Sequence, residues 1–122
     1  TTLGIVPGDP ALLDVVFTNL LGNALKYAPA HTAVRLIATR TEHEARLDIT
    51  DEGRGMTSNQ LQHVFERGVR HARPGDPPGL GLGLYLSQRI CQFHGGSLTL
   101  TSIEGVGTQA TVTIPAHQNG YR

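Results

Sequence analysis

DPALLDVVFTNLLGNALKYAP, residues 9–29, is the stretch on which the fold turns. Asp9 supplies a side-chain acceptor at a helix cap, Pro10 suits the first helical position, and the apolar pattern runs to about Ala28 before Pro29 ends it. With positions set 100° apart, Leu13, Leu20 and Ala24 centre a buried stripe, while Asn19, Asn23 and Lys26 share a second stripe along its edge. Asparagine is a poor helix former because its amide competes for nearby backbone groups, so two on one stripe cost stability unless something offsets it. At the rim of a core they can face a cleft, where an amide oxygen serves a hard cation and the Lys26 ammonium serves a phosphate. They can equally satisfy each other or the loop above.

Outward from this helix, AVRLIATRT and EARLDIT read as two strands joined by a polar turn, an antiparallel pair. Thr57 with Gln60 three residues on predicts a short capped helix. Residues 68–80, GVRHARPGDPPGL, hold three prolines and three glycines and read as a mobile loop. A second long helix is expected from about Gly81 to His94, with Leu82, Leu86, Ile90 and Phe93 at helical spacing, His94 as a C-terminal cap and Gly95-Gly96 as the stop. SLTLTS and GTQATVTIP close the chain as strands. The order predicts an α+β fold, a two-layer α/β sandwich whose mostly antiparallel sheet is covered on one face by about three helices.

The chain has 122 residues, one domain's worth, and is expected to be a single module from a longer protein. Ten basic residues balance ten acidic ones, so no global field points to nucleic acid or an anionic membrane as partner. The single cysteine, Cys91, excludes an intramolecular disulfide and reads as a buried inert thiol. No apolar run is long enough to span a bilayer and no signal-peptide layout is present. A cytoplasmic, monomeric module is the expectation.

Two further stretches carry chemistry. In DEGRGM, residues 51–56, Asp51 stands where a strand ends and the glycines permit a tight turn. A carboxylate there accepts from the amino group of adenine and repels the carbonyl that guanine presents at the same place, and Gly53 and Gly55 would let the chain approach the base. A plain turn accounts for the same residues. GLGLGL, residues 79–84, puts alternate glycines at a helix N-terminus, where unpaired backbone amides bind phosphate. Its spacing is not that of a dinucleotide fingerprint.

Together these stretches resemble the ATP-binding catalytic domain of sensor histidine kinases, within the superfamily that includes DNA gyrase, the heat-shock chaperone ATPases and the mismatch-repair ATPases. NLLGNALKYAP resembles the N box, DEGRGM the first glycine box, VFERG the F box, GLGLGL the second glycine box and GVGTQATVTIP the closing strand pair. The resemblance covers nearly the whole chain and implies the Bergerat fold, with a mixed sheet and an ATP lid at about 68–80. It implies that Asn23 ligates Mg²⁺, that Asn19 and Lys26 act catalytically on the phosphates, that Tyr27 lies beside the nucleotide and that Asp51 reads adenine. It further implies that Phe65, Gly79, Gly81, Leu82, Gly83, Leu84 and Thr108 line the ATP site, with Arg67, Arg70 or Arg73 able to reach a phosphate from the lid. Its partners would be the dimerisation hairpin of the same kinase, which carries the acceptor histidine, and a response regulator. The parent kinase would be soluble or anchored in the inner membrane.

In the superfamily's water-activating ATPases a glutamate four residues before the metal-binding asparagine acts as general base. Here that position is Asn19, whose amide cannot take a proton at neutral pH, so the site resembles one that holds ATP for a nucleophile activated elsewhere. HEAR, residues 43–46, mimics the start of the family's phosphoacceptor box, but it lies between two strands without the usual Thr-Pro and reads as a hairpin turn. Two departures are Val15 in place of a common glutamine, which bears on packing, and Met56 in place of isoleucine. The hairpin itself is missing, so this chain is expected to bind ATP without autophosphorylating. A degenerate ATP-sensing module and a gyrase-like ATPase are the competing readings.

Overall fold

The structure, a computed structural model, describes residues 8–27, 29–66 and 83–115, with the Tyr27 side chain excepted. Helix α1 spans Pro10–Tyr27, and the Asp9 carboxylate caps it by accepting from the backbone N–H groups of Ala11 and Leu12 at 2.9 and 3.2 Å. Strands β1 (Arg35–Arg40) and β2 (Glu44–Asp51) form the expected hairpin. Its turn is held by Thr41 Oγ1, which accepts from the N–H groups of His43 and Glu44, so HEAR belongs to a turn and a strand start with His43 exposed. Helix α2 (Ser58–Gln62) carries the capping box between Thr57 and Gln60. Helix α3 (Gly83–Phe93), β3 (Ser97–Ile103) and β4 (Gly107–Pro115) complete the order.

The sheet order is β1-β2-β4-β3, and every pairing among the described strands is antiparallel, so the parallel component expected of a mixed sheet is not among them. Short turns join β1 to β2 and β3 to β4 and make those pairs antiparallel, and β4 inserts between β2 and β3, antiparallel to both. One face of the sheet is covered by α1 and α3. Val16, Leu20 and Ala24 from α1 meet Ile49, Leu98, Ala110, Val112 and Ile114 from the strands and Cys91 from α3. The inward row of α1 is thus the expected one, with Val16 added and Leu13 partly buried. Val15, 38% exposed, contributes less packing than its apolar character suggests, being a quarter-turn off that row.

The phase of α3 differs from the sequence reading. Leu86 and Phe93 are 45% and 76% exposed, and the buried positions are Ser87 and Cys91; Leu82 lies outside the described residues. A small serine and cysteine hold the contact face because α3 packs closely on α1 as well as on the sheet, and apolar periodicity cannot register a polar residue at that centre. Burial raises the Cys91 thiol to about 11, which keeps it protonated and unreactive at neutral pH.

His94 is more than a cap. It is buried, and the Asp9 N–H donates to its Nε2 at 2.9 Å, which leaves the ring proton on Nδ1 to be donated to Ile90 O at 2.9 Å. The imidazole thereby ties the C-terminal end of α3 to the N-cap of α1.

The opposite face of the sheet is mostly polar, with Ile37 and Ile103 exposed on it. Asp48 there accepts from Arg46 Nε at 3.0 Å, Thr111 Oγ1 at 2.7 Å and Gln109 Nε2 at 3.1 Å. Partial burial opposes the charge, but these donors outweigh it and hold the Asp48 carboxyl below its ordinary range. A carboxyl depressed in the folded state stabilises above its unfolded pKa, and that contribution is lost as pH falls through the folded value. Asp48→Asn is therefore expected to flatten the decline of stability below about pH 4, read as urea midpoints over a pH series.

Candidate active site

Strand pairing arranges side chains in rows across the sheet. On the helix-covered face Leu47, Val112 and Leu98 form one row, Ile49, Ala110 and Leu100 the next, and Asp51, Thr108 and Ser102 the last. Alternate residues of a strand share a face, so this final row sets three polar side chains on the side where the preceding rows are core. The row therefore faces the space between the sheet and the helix layer, at one end of the sheet.

The helices bring the other motifs to the same end. His94, Gly95 and Gly96 are all that separates α3 from β3, so α3 runs back across the sheet and carries Gly83 toward the Ser102 end. Eleven helical residues advance about 16 Å and the six steps of β3 about 20 Å, so the two lengths match. Helix α1 lies antiparallel to α3: Asp9 bonds to His94 at one end, and Asn19 meets Gly83 and Ser87 at the other. Asn19 Nδ2 is 3.5 Å from Gly83 O and 3.3 Å from Ser87 Oγ. A carbonyl only accepts, so the amide must present its nitrogen to α3.

Asn19 is thus committed as a donor to α3, whose first two residues, Gly83 and Leu84, end the GLGLGL stretch, and it has no group that could take a proton from water. Asn23, one turn on, is half-buried on the same stripe, and Lys26 is exposed in the last turn. Leu84 is half-buried, and with Phe65, which follows α2, it packs against the core.

The first glycine box is stitched to the turn between β3 and β4. Asp51 Oδ1 accepts from Gly53 N–H at 2.7 Å, closing a turn that leaves Oδ2 without a donor among the described residues. Gly53 and Gly55 are both buried. Gly105 N–H donates to Arg54 O at 2.7 Å, and Met56 N–H to Ser102 Oγ at 2.8 Å. Ser102 in turn bonds to Gly107 O at 3.0 Å and Thr108 Oγ1 at 2.9 Å.

Asn19, Asn23, Gly83 and Leu84 on the helix side, and Asp51, Gly53, Gly55 and Thr108 on the sheet side, come to the same end of the two layers. Gly79, Gly81, Leu82, the Tyr27 side chain, the lid at 68–80 and its arginines Arg67, Arg70 and Arg73 lie outside the described residues. The sequence reading missed Ser87 and Ser102. Ser102 had a signal, since it falls in step with the inward-facing Leu98 and Leu100 of SLTLTS; Ser87 had none, because a serine on a helix more often faces water.

Among the described residues no group of three or more His, Cys, Asp or Glu could hold a metal by itself, and no helix is long and apolar enough to cross a membrane. An ion bound here would take most of its ligands from phosphate and water, the manner in which magnesium is commonly held.

Comparison with known proteins bears on the family and the fold. Residues 8–118 match the family model described as histidine kinase-, DNA gyrase B-, and HSP90-like ATPase. The adaptive-response sensory kinase SasA of Synechococcus sp. (strain JA-3-3Ab) is 35% identical over 111 residues, 90% of this chain and 29% of that protein. The sensor histidine kinase WalK of Bacillus subtilis is 36% identical over 111 residues, 88% of this chain and 18% of that protein. The chain spans less than a third of the length of these curated relatives. The solved structure of a mycobacterial sensor histidine kinase, MprB, superposes with a TM-score of 0.80 at 31% identity, covering 92% of this chain and 75% of that one. The catalytic domain of the histidine kinase ThkA, 20% identical with a TM-score of 0.78, shares the fold. The chain belongs to the histidine kinase-, DNA gyrase B- and HSP90-like ATPase family, and within it to the ATP-binding domains of sensor histidine kinases, with their α+β Bergerat fold.

Proposed function

We propose that this chain holds Mg-ATP between its helix layer and the Asp51 end of its sheet and donates the γ-phosphate to a histidine on a separate dimerisation hairpin, from which an aspartate of a response regulator receives it. The observation that carries this reading is the polar row Asp51–Thr108–Ser102, which continues two apolar rows of the helix-covered face at the end to which Asn19, Asn23 and Gly83 are brought. In this reading Asp51 Oδ2 accepts from the adenine amino group, and the N-terminal end of α3 offers backbone N–H groups to the phosphates. Asn23 supplies an amide oxygen to magnesium, and Lys26 neutralises phosphate charge. The ion, carried in with the phosphates, would neutralise charge on the transferred group.

Asn19 is a structural donor and not a general base, which favours a kinase half over a hydrolase. Phosphoryl transfer to an imidazole needs positioning and charge neutralisation more than proton removal. The chain mixed with a cognate hairpin and γ-labelled Mg-ATP is expected to yield acid-labile, base-stable label on histidine, and the chain alone none. Nucleotide binding without any transfer to the hairpin would instead support a sensing module. Hydrolysis in the parent kinase that Asn19→Glu leaves unchanged would support an ATPase.

A further inference from the structure

The Ser102 hydroxyl has three polar neighbours: Met56 N–H at 2.8 Å, Gly107 O at 3.0 Å and Thr108 Oγ1 at 2.9 Å. A hydroxyl has one hydrogen and two lone pairs. The Met56 amide can only donate and the Gly107 carbonyl can only accept, so Ser102 sends its hydrogen to Gly107 and takes one from Met56. Its second lone pair is filled by the Thr108 hydroxyl, which thereby spends its own hydrogen. Thr108 Oγ1 is left with lone pairs only. Asp51, its direct partner across β2 and β4, is an acceptor as well when ionised.

We propose that Ser102 determines nucleobase choice. By holding the Thr108 proton it keeps the Asp51–Thr108 edge free of donors, matched to the 6-amino group of adenine and mismatched to the 6-carbonyl of guanine. This rests on the adenine reading of Asp51 given above and adds to it a residue that touches no nucleotide, acting through Thr108 as a positioning residue. Without Ser102 Oγ, the Thr108 hydroxyl can turn and donate to a guanine carbonyl.

The test is a calorimetric titration of the 122-residue chain with ATP and with GTP in the presence of Mg²⁺. In Ser102→Ala the preference for ATP over GTP is expected to fall about tenfold, chiefly through tighter GTP binding, the effect of one hydrogen bond gained. Ser102→Thr, which keeps the hydroxyl, is expected to restore the preference. A purely structural role would weaken both nucleotides together and leave their ratio in place. A wild type that prefers ATP and a Ser102→Ala variant with the same ratio would overturn the proposal while leaving the Asp51 reading intact. A wild type without preference would remove the Asp51 reading and this proposal with it. Should Ser102→Ala not fold, Thr108→Val decides: with no hydroxyl to donate or accept, it is expected to lose ATP affinity several-fold without gaining GTP. Unchanged ATP affinity in that variant overturns the proposal.

Discussion

Asp51→Asn is expected to weaken ATP binding about tenfold to a hundredfold while leaving the fold intact, and to shift preference toward GTP. The substitution is nearly isosteric, and its remaining oxygen can still accept from Gly53 N–H at the 2.7 Å contact that closes the turn. What changes is the second atom of the group. An oxygen that accepts from an adenine amino group becomes an NH₂ that opposes it and that suits a guanine carbonyl. Titration with both nucleotides, together with the thermal midpoint of each variant, separates this effect from instability. An ATP affinity equal to wild type would place the base elsewhere and remove the nucleotide reading of the sheet's polar row.

Gly55→Ala is expected to cost about 3 kcal/mol or more of stability and nucleotide binding with it. Gly55 has a φ of +67°, and a Cβ there would lie 2.1 Å from Ile103 O, a backbone atom that can move only if the β3–β4 turn moves. That displacement would separate Met56 from Ser102 and the loop that follows Asp51 from the β3–β4 turn. Gly105, in the facing turn, is an internal control: its φ is +81°, but the space around it is open. Gly105→Ala is expected to cost only the left-handed strain, about 1 kcal/mol, with ATP affinity unchanged. Denaturant midpoints of the two variants compare conformational strain alone with strain plus collision. Equal losses would show that the close approach of the loop to the turn contributes nothing.

The sequence by itself was enough for the elements and their caps. The Asp9-Pro10 start, the capping box at Thr57 and the hairpin between β1 and β2 depend on contacts within a few residues, so local chemistry specifies them. The stripe of α1 was legible because leucine and alanine mark its centre and the asparagines its edge. Four motifs in order, each weak alone, were enough to indicate the family to which the chain belongs.

Tertiary structure decided what depends on partners far along the chain. The inward face of α3 turns on Ser87 and Cys91, whose polarity or small size hides them from an apolar count; only the packing of α1 against α3 shows that they are central. The two-ended bond of His94, to Ile90 O and from Asp9 N–H, joins residues 85 positions apart, and no spacing rule encodes it. The row of Asp51, Thr108 and Ser102 needs the register of three strands, two of them separated from the first by more than 45 positions. Which hydroxyl keeps its hydrogen in that row follows from hydrogen-bond geometry, because a side chain's role as donor or acceptor is fixed by the groups that surround it and not by its own identity.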